Sequence, residues 1–340
     1  MAKTLKCLVW DLDDTLWDGI LLEGGARTLR PGARETIVAL DRRGILLSIA
    51  SRNVVDETLV RLKAFALEEY FLYPQIGFGA KSEALTEIAK ALNIALDTFA
   101  FIDDQPFERD EVLAAHPEVR VYAAEDVARL PTLPEFTPRF VNPDSALRRA
   151  MYQADFRRKA EEDTFSGPQE SFLRGLNMRF SIGRVEDGDL ERAVDLTERT
   201  NQLNATGLTF DHDELDALRR SPRHLLHISS LQDKYGDYGR IGLSLVEKRE
   251  EYWVIKLLLM SCRVMNRGVG SVQLNHLIRE ALAAGKKLRA DFVETPRNRM
   301  MYVTYKFAGF EEVAAGEGTT LEYKGAAPPS FPDYLEVVVS

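Results

Sequence analysis

Cysteine is scarce in this chain: Cys7 and Cys262 are the two thiols among 340 residues. Two thiols cannot build a disulfide framework, so a reducing cytoplasm is the expected compartment. Long hydrophobic runs are missing too. No stretch reaches the roughly 18 apolar residues of a membrane span, and no membrane association is expected. The opening MAKTLKCLVWDLDDT runs into acids after a short apolar stretch, unlike a secretory signal. Basic charge is not in excess. The net charge of −9 argues against broad nucleic-acid binding, which depends on neutralising phosphates. No internal repeat and no low-complexity segment is found. What remains is ordinary globular usage, 45% apolar and 29% charged, in a chain long enough for two cores.

The first 130 residues alternate apolar strands (6–10, 45–51, 99–103, 119–122) with helical stretches near 32–43, 54–68 and 82–92. That alternation implies a parallel sheet with right-handed crossovers, an α/β domain of Rossmann-like type over 1–135. The proline-rich run LPTLPEFTPRFVNPD reads as the start of a linker, followed by a polar helix near 145–163. Linker and bracing helix together span 136–178. A second, α+β domain is expected over 179–340. It has strands at 179–185, 224–233, 240–248, 251–260 and 288–294, helices near 188–201, 269–284 and 297–307, and a last strand.

Chemistry concentrates at strand ends. Asp11 and Asp13, with Asp14 and Thr15 beside them, follow the first strand; two residues apart on extended backbone, Asp11 and Asp13 would point to one side. Acids at the carboxyl end of a parallel strand sit where open α/β sheets bind ligands. Crowded carboxylates raise one another's pKa unless a cation intervenes, and Mg2+, a hard ion, suits oxygen ligands. Asp103 and Asp104 end the strand FAFID, Ser51 ends ILLSIAS, and Lys81 precedes a helix. In order and spacing these four sites resemble the motif set of haloacid-dehalogenase-type phosphatases.

That resemblance implies roles. Asp11 would be the nucleophile and Asp13 the acid and base. Ser51, with Arg52 and Asn53 after it, and Lys81 would hold phosphoryl oxygens. Asp103 or Asp104 would complete a Mg2+ site with Asp11 and Asp13, and Thr15 would fix the turn. Only a minimal cap fits in WDGILLEGGARTL. The plain alternative is that such acids form turns and helix caps.

In the second half, MSCRVMNRGVG places Cys262 after the longest apolar strand and Gly268 and Gly270 at the opening of a helix. A strand, a glycine turn and a helix N-terminus suit a phosphate or pyrophosphate. With Tyr305 to Phe310 this is similar to the acyl-carrier groove of the GCN5-related acetyltransferase fold. The usual Arg or Gln three residues before the first glycine is Met265 here.

Over nearly the whole chain, DLDDTLWDG, SRN, FIDDQPFERDEV, LTERTNQLNATG, DKYGDYGRIG and MSCRVMNRGVG resemble the FkbH-like glyceryl transferase/phosphatases of polyketide pathways. The resemblance implies a glyceryl unit taken from 1,3-bisphosphoglycerate, held as a thioester on Cys262 and passed to an acyl carrier protein, with phosphate removed by the first domain. Arg263 and Arg267 would favour the thiolate. His276 could be its base, and Asn204 and Tyr305 would contact substrate. Packed-core roles for Cys262, His276 and Tyr305 are the alternatives. From 251 to 300 there are nine Lys or Arg and four Asp or Glu, a local +5 suited to an acidic carrier. A rival reading is a stand-alone Mg2+-dependent phosphatase with a C-terminal binding domain.

Overall fold

The run Cys-Leu-Val-Trp at Cys7–Trp10 is buried at every position and forms β1, the central strand of a five-stranded sheet. The computed structural model describes residues 4–200, 203–296, 298–313 and 319–340, without the side chains of Arg199 and Cys262. Two compact units divide between Gln153 and Ala154.

In the first unit β1 is flanked by β2 (Leu46–Ser51), β3 (Gln75–Ile76), β4 (Phe99–Asp103) and β5 (Arg120–Ala123). The order is β3-β2-β1-β4-β5, and every pairing is parallel. Such a sheet needs crossovers, supplied by α1 (Ala33–Arg42), α2 (Val55–Ala64), α3 (Lys81–Leu92) and α4 (Pro106–Ala115). The expected α/β architecture is the observed one. The proline-rich run departs from the linker expectation. Pro131 lies near the end of one 3-10 turn and Pro134 opens the next, Leu130 and Phe136 are buried in the first core, and Leu5 N–H donates to the Glu135 carbonyl (2.9 Å). The long helix α5 (Pro143–Thr164) follows, and its Arg149 pairs with Asp41 at 2.9 Å and Glu69 at 3.0 Å.

The second unit, after α6 (Gln169–Gly175), holds β6 (Met178–Arg184), α7 (Leu190–Arg199), α8 (His212–Arg220), β7 (His224–Asp233), β8 (Gly236–Lys248), β9 (Tyr252–Met260), α9 (Val269–Ala283), β10 (Lys287–Phe292), α10 (Arg299–Phe307), β11 (Phe310–Val313), β12 (Thr319–Tyr323) and β13 (Leu335–Val339). Its sheet runs β11-β12-β10-β9-β8-β7-β6-β13. Pairings are antiparallel except β9 with β10 and β6 with β13. The parallel pair β9–β10 is joined by α9, whose buried residues pack on the sheet in an apolar cluster with Ile255, Leu258 and Ala290. This is the expected α+β unit, with three closing strands where one is read from the sequence. β10 pairs with β9 only as far as Ile255; beyond it Leu203 to Ala205 bond to the end of β9 instead. Among the described residues no helix is long and apolar enough to cross a membrane.

Candidate active site

Asp11 continues directly from β1, its N–H bonded to the Ile102 carbonyl of β4 at 2.9 Å. It therefore sits at the carboxyl edge of the sheet between β1 and β4, where the strand order changes direction and ligands bind in such sheets. β4 ends at Asp103, so the two acids meet across that point. Lys81, the first residue of α3, lies between them: its Nζ donates to Asp11 Oδ1 at 2.7 Å and to Asp103 Oδ2. All three side chains are buried.

Burial pushes the Asp11 carboxyl up to about 7, against the pull of Lys81 and with the charge of Asp103 adding to the rise. Asp103 is raised by burial as well, despite Lys81. Burial opposes the charge on Lys81, yet the two carboxylates outweigh it and hold its ammonium above the usual range.

Asp104 brings a third carboxylate. Oxygens of Asp11, Asp103 and Asp104 lie within 4.8 Å of one another. The loop that presents them is fixed on both sides: Thr15 Oγ1 accepts from Asp104 N at 2.9 Å, and Arg109 Nη1 donates to the carbonyls of Asp103 and Asp104 at 2.6 and 2.9 Å. The Thr15 hydroxyl, expected to fix the turn after Asp11, is bonded instead to the backbone at Asp104. Three carboxylates against one ammonium leave negative charge uncompensated on hard oxygen donors. That donor set fits Mg2+.

The pH consequence has a definite sign. In metal-free protein the raised carboxyls hold protons that the unfolded chain has already lost above about pH 4. The stability they contribute is full below that pH and is lost as pH rises toward 7. The thermal transition of the first unit in EDTA should therefore fall in temperature between pH 4 and 7 relative to Asp11→Asn. A parallel pH dependence in the two proteins would show that Asp11 is not the titrating group.

Asp13 is not part of that carboxylate cluster. Its Oδ1 accepts from Trp17 Nε1 (2.8 Å) and Leu21 N–H (3.0 Å), and its Oδ2 accepts from Asn53 Nδ2 (2.9 Å). Asn53 also donates to Ser51 Oγ at 3.4 Å, tying the end of β2 to the first loop. A short flap containing Trp17 and Leu21 is the minimal cap, held by bridges from Trp17 to Asp13 and Leu29. An open cleft of about 230 Å³ is lined by Ser51, Gly77, Gly79, Lys81 and Glu83. Arg52 pairs instead with the buried Glu108 of α4 at 3.3 Å.

In the second unit, the chain leaves β9 through a 3-10 turn, Cys262–Val264, and reaches α9 by way of Gly268 at φ 76°. Gly268 is favoured by its backbone conformation. Its φ is left-handed, and a Cβ there would fall 2.3 Å from Tyr334 Oη. Gly270 has no such demand: a Cβ would meet only Met260, at 3.9 Å. Arg267 is buried beside this turn. One Nη donates to Glu162 at 3.1 Å, the guanidinium lies 5.6 Å from the Phe172 ring, and Nε and the other Nη have no hydrogen-bond partner. Arg263 Nη2 donates to the Tyr238 carbonyl at 2.9 Å. The side chain of Cys262 lies outside the described residues.

Three expected site residues are placed elsewhere. Asn204 is buried, and its Oδ1 accepts from the N–H groups of Thr206 and Gly207 at 3.2 and 2.9 Å, so its amide builds a turn. Tyr305 is fully buried against Phe310, and burial drives its hydroxyl far above the usual range; it is a core aromatic. His276 sits seven residues into α9, about 10 Å along the helix from Val269. It faces His227 of β7, with ring centroids 5.2 Å apart, and Glu280 one turn on. Burial, reinforced by the charge of Arg184, holds His227 down to about 3 and His276 down to about 4, while burial raises Glu280.

Sequence reasoning missed Trp17, Arg109, His227 and Glu280. Trp17 and Glu280 each stand four residues from a partner already singled out, Asp13 and His276, which is a readable signal. Arg109 and His227 act only through the folded packing.

No protein-family profile matches the chain, and no curated protein does. Solved structures are similar to parts of it. The N-terminal part of the protein BF1531 from Bacteroides fragilis, which contains a phosphatase domain and is complexed with Mg, is 26% identical over 40% of this chain, with a TM-score of 0.36. The chain covers 41% of that protein's length. The ribosomal-protein-S18-alanine N-acetyltransferase from Escherichia coli is 16% identical over 45% of this chain and 99% of its own, with a TM-score of 0.33. A putative acetyltransferase, yncA from Salmonella typhimurium with its cofactor acetyl-CoA, has the same identity, coverage and TM-score.

Proposed function

We propose that the chain is a bifunctional enzyme: a Mg2+-dependent, haloacid-dehalogenase-type phosphatase joined to a glyceryl transferase that loads an acyl carrier protein from 1,3-bisphosphoglycerate. The observation that carries the phosphatase half is the buried Asp11–Lys81–Asp103 cluster at the sheet's switch point, with Asp13 held apart from it by three donors. Asp11 attacks phosphorus and the ester P–O bond breaks. Asp13 protonates the leaving oxygen, then takes a proton from the water that cleaves the aspartyl phosphate. Lys81 and Ser51 bind phosphoryl oxygens, Lys81 turning from the carboxylates as charge arrives. Asp11, Asp103 and Asp104 would hold Mg2+, which supplies charge neutralisation for the phosphoryl group.

The transferase half is supported by the glycine turn of α9 and the unpartnered N–H groups of Arg267, a setting for a phosphate-bearing ligand. The Cys262 thiolate attacks the carbonyl of the acyl phosphate, and the C–O bond to phosphate breaks. The carrier's pantetheine thiol then attacks the thioester and frees Cys262. Arg263, Arg267 and the N-terminus of α9 bias that thiol toward its thiolate, and the basic 251–300 segment steers an acidic carrier.

The test is intact-protein mass spectrometry after incubation with Mg2+, 1,3-bisphosphoglycerate generated in place and a phosphopantetheinylated carrier protein. A three-carbon acyl adduct should appear on wild-type enzyme and carrier and vanish in Cys262→Ala. Phosphate release without any adduct would leave a phosphatase with a binding domain attached.

A further inference from the structure

The second unit contains a polar cluster that the proposed reaction does not use. It lies beneath α9, between that helix and the sheet. His227 is 3% exposed and His276 is 6% exposed. His227 Nε2 and His276 Nε2 each stand 3.6 Å from Glu280 Oε2, and ligand atoms of the three residues all fall within 4.8 Å of one another. These are not hydrogen bonds: His276 Nε2 and Glu280 Oε2 are buried and have no partner. Leaving such atoms unpaired in a low-dielectric interior is costly. Native folds normally satisfy them.

We infer that His227, His276 and Glu280 form a site for one transition-metal cation, Zn2+ by preference, held by two imidazoles and one carboxylate.

The geometry supports a metal over a direct contact. Zn–N and Zn–O bonds of about 2.0–2.1 Å in a tetrahedron put ligand atoms about 3.3 Å apart, close to the two 3.6 Å separations and too far for hydrogen bonds. His276 and Glu280 are four residues apart, so they project from one face of α9, while His227 comes from the strand below. The two elements together supply a convergent set that no single segment could. Two imidazoles beside one carboxylate select zinc over magnesium, which prefers oxygen alone. This separates the site from the all-carboxylate cluster of the first unit. Three protein ligands leave the fourth tetrahedral position open to water. Nearby Gln273 donates to Ser244 Oγ at 3.0 Å, extending the polar seam along the helix.

The experiment strips the full-length protein with EDTA, saturates it with excess Mg2+, dialyses it against buffered Zn2+ and counts bound zinc by mass spectrometry. Wild type should hold one equivalent. Glu280→Gln, which keeps size in a partly exposed position, and His276→Ala should each bind about a hundredfold more weakly or worse. Asp103→Asn, which alters the other cluster, should keep its zinc. With Co2+ in place of Zn2+, wild type should show tetrahedral visible bands that His276→Ala lacks. Zinc should raise the melting temperature of wild type and not of Glu280→Gln, a readout that also shows the variant is folded. Less than a fifth of an equivalent on wild type would overturn the inference. So would full zinc on both variants, or zinc lost only in Asp103→Asn. None of these readings depends on phosphate release or acyl transfer, so either proposal can fail alone.

Discussion

Asp11→Asn should lower Mg2+-dependent hydrolysis of p-nitrophenyl phosphate by at least about a thousandfold, the scale of losing a covalent nucleophile, while leaving the thermal transition of the first unit in place at neutral pH or raising it. The two halves of that result have separate causes. Asparagine keeps the size of the side chain and a carbonyl oxygen that can accept from Lys81 Nζ, as Asp11 Oδ1 does at 2.7 Å. It also removes a buried carboxylate whose pKa burial and the charge of Asp103 both raise, so the folded state loses a repulsion. What asparagine cannot do is attack phosphorus. Lys81→Met should behave in the opposite sense, because it strips the cation from Asp11 and Asp103 and leaves two buried carboxylates facing each other. That protein should melt lower and regain stability with Mg2+. A loss of less than tenfold in Asp11→Asn, measured as phosphate released per enzyme, would remove Asp11 from the nucleophile's role.

The first unit was largely legible because its signals are local. Four of the five parallel strands are short, largely apolar runs, and the acids and Ser51 fall at the ends of three of them, so one pattern marks both strand and site; the two-residue, half-buried β3, Gln-Ile, carries no such pattern and is not read from the sequence. Legibility fails where a segment's face is weak or its partner is distant. The helix α4, PFERDEVLAA, buries only Glu108 and Val112 and leaves Phe107 72% exposed, so no apolar stripe announces it. The helix α8 buries only Leu215, although its capping box between Asp211 and Glu214 is a readable start. β13 pairs with β6 from Leu335 to Met178, across most of the second unit, and no local period encodes that. The site follows the same division. Asp11 and Asp103 were marked by position. Tyr305 and Asn204 lay in motif-like surroundings but fold inward, since a sequence pattern does not say which face of an element meets the core. His227 was invisible as a partner of His276, because only the register of the sheet beneath α9 brings them together.

The largest stability effect should come from Asp233→Ala, which is expected to cost about 3–5 kcal/mol because it leaves Arg158 charged and buried without its main partner. Arg158, on the second half of α5, is 1% exposed, and the Asp233 side chain is fully buried at the end of β7. The pair is bidentate: Arg158 Nε and Nη2 donate to the two Asp233 oxygens at 2.6 and 2.9 Å. Further hydrogen bonds surround it. Tyr238 Oη donates to Asp233 Oδ2 at 3.0 Å, Tyr235 N–H donates to Oδ1 at 2.8 Å, and Arg158 Nη1 reaches Asp155 at 2.6 Å. The guanidinium also lies 3.7 Å from the Tyr238 ring centroid, within cation–π range. The network therefore ties a helix to the β7–β8 hairpin through one desolvated charge, and removing the carboxylate frees four donors at once. For a unit of this size the loss corresponds to roughly 10 °C in melting temperature by calorimetry. Asp233→Asn, which keeps one acceptor oxygen, should lose less than Asp233→Ala. Replacing both partners with apolar residues of similar volume should recover much of the difference, since the penalty lies in the uncompensated charge more than in the absent pair. A drop of under 2 °C for Asp233→Ala would mean that water reaches Arg158 and that the pair is not a desolvated anchor of the second unit.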